Sequence, residues 1–315
     1  MSLQQITQQK DAEIESLLLL SPTNNGNSSP SSDISNILDS NTDQAYFNSS
    51  FLDDTTFATN DSFAQQWNIY NPNSWKITTF NVRGINEEFK FHEIITWLED
   101  NNIDIACLTE TKISEQIAIN RMKHHPNWIS SWSIETNHTK GSGIGLLFKK
   151  SLGSHIFAWA KTPGRAITAT LKFKGKISIS IIGIYGLAKH ADKKPVKKAI
   201  LANCLSHIKS DHHIIALGDF NEDDNIAHHE KSLLKFFQAK GYKDLNNHSF
   251  NSKSIVTWAS ANCERTIDHI LVSQEFLRFS ATSHTIGIKK FTNSDHRGVI
   301  AKVFINHLIT KPKLA

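Results

Sequence analysis

KISISIIGIYG (residues 176–186) and IIALGDFN (residues 214–221), separated by a helix-patterned segment over 195–210, decide the fold. The first reads as an almost wholly apolar strand, Lys176–Tyr185. The second reads as a short buried strand, Ile214–Leu217, that runs into a Gly218-Asp219 turn. Together they make a β-loop-α-β unit. The same order stands upstream: KITTFN (76–81) predicts a strand ending before Arg83-Gly84. Residues 88–101 then place Phe91, Ile94, Ile95 and Leu98 on one helical side, and Ile103–Leu108 is a second apolar strand. Strands over Gly143–Lys149 and Ala166–Phe173 lie between the two units, with short connections of antiparallel type. A helix over Ala227–Lys240 and strands over Thr266–Val272 and Val299–Asn306 complete the pattern. Mixed strands punctuated by helices predict a four-layer α/β sandwich, two mixed β-sheets flanked by helices.

Outward from this core the composition changes. Residues 1–73 are expected to be a disordered acidic, Asn/Ser-rich tail, because they hold too little apolar surface to offset the entropy of ordering. A short helix over 3–20 is the one periodic segment within it. The folded domain is expected over 74–308, with a short tail over 309–315. Charge follows the same division. Residues 1–74 carry one lysine and nine acids, a net −8, which leaves +12 on residues 75–315 out of the chain's +4. A domain that basic attracts polyanions such as nucleic acid or anionic headgroups.

Cys107, Cys204 and Cys263 stand far apart without CxxC spacing, which argues against a disulfide framework and a zinc site and for a reducing compartment. The apolar run Leu17–Leu20 follows acids rather than a basic segment and is too short for a signal peptide, and no stretch has the length of a membrane span. An intracellular protein, nuclear or cytoplasmic and not secreted, is expected.

The polar residues fall where the strands end. Asn81 ends the first strand, Glu110 follows the second, and Tyr185 ends an apolar one. Asp219 and Asn221 follow Leu217-Gly218, Asp268 lies inside the apolar run Ile267–Val272, and Asp295-His296 precedes the last strand. Strand ends on one edge of an α/β sheet are where ligands bind, because the strands fix side-chain positions. Converging Glu, Asp and Asn oxygens make a hard-oxygen site for Mg2+ or Mn2+, and a histidine adds a donor to a phosphoryl oxygen or a general acid. Such a set suits metal-assisted attack of water on phosphorus. Each of these residues alone has an ordinary structural explanation, so the argument rests on the ordered set. Asp268 in an apolar strand requires a partner.

The segments TFNVRG (79–84), LTET (108–111), IIGIYG (181–186), LGDFN (217–221), RTIDHIL (265–271) and NSDHRGV (293–299) resemble the endonuclease/exonuclease/phosphatase superfamily, to which exonuclease III and deoxyribonuclease I belong. GDFN and SDH, with IDHIL between them, carry most of the specificity. GSGIGLLFKKSL (141–152) and the short connections are most similar to the apurinic-type endonucleases of non-LTR retrotransposons. The chain departs from the family at Leu187, where a proline usually stands two positions after the tyrosine. The resemblance implies that Glu110, helped by Asn81 and Asp295, holds a metal. It implies that Asp219 orients and deprotonates water with Asn221 beside it, that Asp268 polarises His296 toward the phosphate, and that Tyr185 donates to a phosphate oxygen. Arg165, Trp258 and Arg265 are further candidates for substrate contact.

The implied function is a Mg2+-dependent endonuclease acting on DNA, at abasic sites or by retrotransposon-type nicking, and a monomer is expected. Three other readings compete: a phosphatase or phospholipase acting on inositol phosphate or sphingomyelin, an RNase or deadenylase, and a silent binding protein. Cys263-Glu264-Arg265-Thr266-Ile267-Asp268 replaces the Trp-Cys-Asp-Arg type stretch of inositol phosphatases. Against a silent protein, every recognisable catalytic position holds the functional residue type.

Overall fold

A computed structural model describes residues 74–135, 141–188, 193–207, 212–223, 233–247, 255–277, 282–288 and 292–305. The acidic tail, the candidate helix over 3–20 and the C-terminal tail lie outside the described residues. The elements are, in chain order, β1 (Ser74–Asn81), α1 (Glu88–Asp100), β2 (Ile105–Thr109), α2 (Glu115–Met122), β3 (Trp128–Ser133), β4 (Ile144–Lys149) and β5 (Ile156–Thr162). There follow β6 (Ala166–Phe173), β7 (Ile177–Tyr185), α3 (Lys193–His207), β8 (His212–Asp219), α4 (Leu233–Ala239), β9 (Lys243–Asp244), β10 (Trp258–Ser260) and β11 (Cys263–Arg265). The last are β12 (Asp268–Val272), α5 (Gln274–Leu277), β13 (Thr282–Ile286) and β14 (Gly298–Phe304).

Two six-stranded sheets form, ordered β13-β14-β1-β2-β4-β3 and β5-β6-β7-β8-β12-β9, with β10-β11 as a separate hairpin. Each large sheet contains one parallel pair, β1 with β2 and β7 with β8, and is otherwise antiparallel. These are the two β-α-β units of the sequence, each crossed over by a helix as parallel neighbours require. The sandwich of two mixed sheets with helices outside is the predicted fold class. Part of the helix expected over Ala227–Lys240 lies outside the described residues, and α4 begins at Leu233.

Alternation along the strands separates two cores. Trp75 and Ile77 of β1, Ile179 and Ile181 of β7, Ile215 and Leu217 of β8, and Ile270 and Val272 of β12 face the layer between the sheets. The intervening Ile182, Ile184, Ile214, Ala216 and Leu271 face outward, against Ile200, Leu201 and Cys204 of α3 and Leu233 and Phe237 of α4. On the other sheet Phe80 packs edge-on against Trp97 of α1, with ring centroids 5.6 Å apart. Because side chains alternate with a period of two, the inner row continues past the apolar layer into Asn81, Tyr185, Asp219 and Asp268. The apolar core therefore aims four polar side chains at one rim of the sandwich.

Candidate active site

The rim is assembled from strand ends held unusually close. A Cβ at Gly218 would lie 1.8 Å from the Ile184 carbonyl oxygen, and one at Gly186 would lie 2.1 Å from the Phe220 carbonyl oxygen, so only glycine lets the ends of β7 and β8 meet. Arg83, Glu110, Lys112, Asn221 and Asn293 all take left-handed backbone conformations, with φ of 49–55°. Such conformations cost energy outside glycine and asparagine and tend to gather at functional sites.

Five predicted residues form one connected line. Asn81 Nδ2 donates to Glu110 Oε2 at 2.9 Å and to Asp219 Oδ2 at 3.1 Å. Asp219 Oδ2 faces His296 Nε2 at 3.9 Å, and His296 Nδ1 meets Asp268 Oδ2 at 2.8 Å. Asn81, Asp219, Asp268 and His296 are all buried. Asn81 Oδ1 accepts the Arg83 N–H at 2.9 Å, which fixes the amide so that its nitrogen points at the two carboxylates. As placed, Asn81 orients the acids rather than offering an oxygen to a metal.

The electrostatics follow from this crowding. Burial, and then the neighbouring Asp268 charge, push the Asp219 carboxyl up to about 7, against the pull of His296, Asn81 and the Asn221 amide. Burial opposes protonation of His296, but Asp268 and Asp219 outweigh it and carry the imidazole up to about 10. Burial, then the charges of Glu110 and Asp219, raise the Tyr185 phenol well above its ordinary range, so it is a donor at neutral pH.

The remaining candidates are placed as follows. Asn221 donates from Nδ2 to the Gly186 carbonyl at 3.1 Å, tying the β8 turn to the loop after Tyr185. Asp295 is exposed; its Oδ2 accepts the Trp258 indole N–H at 2.9 Å, and Arg83 lies 4.0 Å from its Oδ1. Trp258 thus holds Asp295 in place, while the Arg265 guanidinium sits 5.9 Å from the Trp258 ring and donates to Cys263 Sγ. Arg165, which follows Pro163-Gly164, is buried. It is 5% exposed, stacks 5.1 Å from the Tyr185 ring and pairs with Glu135, so as placed it supports the tyrosine. Lys112, not singled out in the sequence, pairs with Glu110 Oε1 at 2.6 Å; only its position two residues after Glu110 hinted at this.

A small hard cation fits this donor set. The buried Asp219 and Asp268 carboxylates lie close together, and the Asp268 Oδ1 has no hydrogen-bond partner among the described residues, whereas the protonated His296 beside them is a donor and not a ligand. Glu110 is the more accessible carboxylate and already draws the Lys112 ammonium to itself. Oxygen-rich sets of this kind select Mg2+ or Mn2+ over softer ions.

The family described as "Endonuclease/Exonuclease/phosphatase family" matches residues 78–296. No curated protein sequence matches the chain. Among solved structures, the AP endonuclease LMAP from Leishmania major is similar at 14% identity and TM-score 0.58, over 75% of this chain and 89% of that one. The 3'-5' exonuclease NExo from Neisseria meningitidis is similar at 19% identity and TM-score 0.55, over 72% and 98%. An AP endonuclease from Archaeoglobus fulgidus is similar at 19% identity and TM-score 0.55, over 73% and 99%. At such identities the likeness carries the fold.

Proposed function

The chain belongs to the endonuclease/exonuclease/phosphatase family, and from that membership we propose that it is a metal-dependent endonuclease that hydrolyses phosphodiester bonds in DNA. The observation that carries the reading is the unbroken line Glu110–Asn81–Asp219–His296–Asp268, which sets a base, a protonated donor and a hard-oxygen site side by side. Two similar structures are AP endonucleases, and a third is a 3' phosphatase from Neisseria bound to a product DNA hairpin. These names support DNA as substrate, and the +12 charge of residues 75–315 supports a polyanion.

In this reading Asp219 accepts the proton of the attacking water. A carboxyl held near 7 is a base of useful strength at neutral pH. Water forms the new P–O bond as one ester P–O bond breaks; the departing oxygen takes a proton from solvent, and Asp219 returns the one it accepted. His296, kept cationic and oriented by Asp268, donates Nε2–H to a non-bridging oxygen, and the Tyr185 phenol donates to a second. Asn81 keeps Glu110 and Asp219 apart at fixed separation. Mg2+ or Mn2+ would be held chiefly by Glu110, and when bound it neutralises charge developing on the phosphoryl oxygens.

The test separates a nucleic-acid backbone from a small phosphate ester. Binding of an Asp219→Ala variant to duplex oligonucleotides, intact and abasic, is measured between about 50 and 200 mM salt, where each phosphate contact contributes about −0.9 to the slope of log affinity against log salt. A slope of about −3 or steeper, with metal-dependent cleavage by the wild type that EDTA abolishes, is expected. Absence of oligonucleotide binding, with phosphate released from inositol phosphates instead, overturns the reading. RNA oligonucleotides in the same panel decide between DNA and RNA.

A further inference from the structure

A second aspartate–histidine pair stands behind the first, on the outer face of the same strand. His269 follows Asp268 on β12 and is fully buried. Its Nδ1 lies 2.6 Å from Asp244 Oδ2, and its Nε2 lies 2.8 Å from the Glu222 carbonyl oxygen. Both partners can only accept, so the ring donates from both nitrogens. Asp244 is satisfied in turn, since its Oδ1 accepts the Asn246 N–H at 3.0 Å.

What His269 grips is the turn that carries Asp219 and Asn221. The Glu222 carbonyl closes that turn, and the Phe220 ring meets the His269 ring edge-on at 5.5 Å. The Phe220 N–H donates to the Ile267 carbonyl on the approach to β12. The Glu222 side chain binds outward to Lys197 of α3 at 2.6 Å and to the Leu234 N–H at the start of α4. The turn is therefore fastened to β12 from the face opposite the rim, and among the described residues His269 Nε2 is its one side-chain donor to a backbone carbonyl there.

We propose that His269 is a positioning residue that clamps the Glu222 carbonyl and so fixes the Asp219–Asn221 turn for hydrolysis. The proposal rests on the catalytic reading of that turn. It touches no substrate; Asp244 orients the ring, and the ring orients the turn.

The test uses donor position. Asparagine presents an amide N–H near the place of Nδ1, and glutamine extends one to the place of Nε2. In the full chain, His269→Asn is expected to lower kcat by roughly tenfold or more with KM little changed, as sub-ångström displacement of a reacting group does, while His269→Gln restores most of the rate. Hydrogen exchange at the Phe220 and Asn221 amides gives a readout that needs no substrate: faster in His269→Asn, near wild type in His269→Gln. Should His269→Gln prove unstable because Asp244 loses its donor, Asp244→Asn/His269→Gln removes that charge and is expected to behave alike. Equal rates and equal exchange in the Asn and Gln variants overturn the proposal, as does failure of both Gln-bearing proteins to fold where His269→Asn folds. A wild type inactive on every phosphodiester with exchange that still follows donor position would sink the catalytic reading and leave the clamp standing.

Discussion

Two aspartate–histidine pairs hang from consecutive residues of β12, and they are finished differently. In the inner pair, Asp268–His296, one carboxylate oxygen and one ring nitrogen lack hydrogen-bond partners among the described residues, and the ring nitrogen faces Asp219 at 3.9 Å. In the outer pair, Asp244–His269, every ring nitrogen and carboxylate oxygen is bonded. The chemistry of the pair is the same; what differs is where the second nitrogen points. A pair left open toward a rim has capacity to spend on a substrate, whereas a pair closed on the backbone has spent it on geometry.

The largest effect expected from this contrast is on rate. Asp268→Asn should lower the hydrolytic rate by about 10²–10⁴, as loss of an acid–base partner does, and should lower the melting temperature less than Asp244→Ala does, because Asp219 still faces the His296 imidazolium. Steady-state kinetics and calorimetry on one preparation check both halves. A near-wild-type rate would make the inner pair structural and erase the contrast.

Next comes stability. Asp244→Ala leaves the His269 imidazolium buried without its counter-charge, which should cost about 3–5 kcal/mol in denaturant unfolding. A change within about 0.5 kcal/mol, the range of ordinary surface substitutions, would show that the closed pair holds nothing.

The same pair sharpens the comparison through pH. Burial alone would lower His269, but Asp244 and its hydrogen bond outweigh it and raise the ring to about 9. A histidine raised above its unfolded value, about 6.5, contributes stability that is fully present below pH 6.5 and is lost as pH rises through 9. Unfolding followed from pH 6 to 10 should show this decline in the wild type and a flatter profile in Asp244→Asn. Identical profiles would contradict it.

The smallest expected effect lies at the exposed end of the rim. Trp258→Phe removes the indole N–H that holds Asp295. A single such bond is worth about 1 kcal/mol, hence roughly a fivefold loss in rate. A loss of about a hundredfold would instead place the indole itself on the substrate.

How much of this was legible in the sequence depends on whether one residue or its partners carry the meaning. Asn81, Tyr185, Asp219 and Asp268 could be read because each is a polar residue at the end of, or within, an apolar strand, and together they follow one order along the chain. The pairing of β1 with β14 could not, since Thr78 meets Ile300 across most of the chain. The partner of Arg165 was not legible, because the guanidinium stacks on Tyr185, twenty residues further along the chain. The strand expected from Thr266 begins at Asp268, where β12 first pairs with Asp219 of β8. His269 was read only as part of the apolar run, since the acceptors that give it a role lie on a distant turn and on β9.

Cleavage of a labelled duplex oligonucleotide, intact and abasic, tests the account most directly, with the full chain in Mg2+ compared against His296→Asn. The account predicts metal-dependent nicks by the wild type and none by the variant, which still unfolds cooperatively. Equal cleavage by the two proteins, or cleavage by the wild type in EDTA, would contradict it.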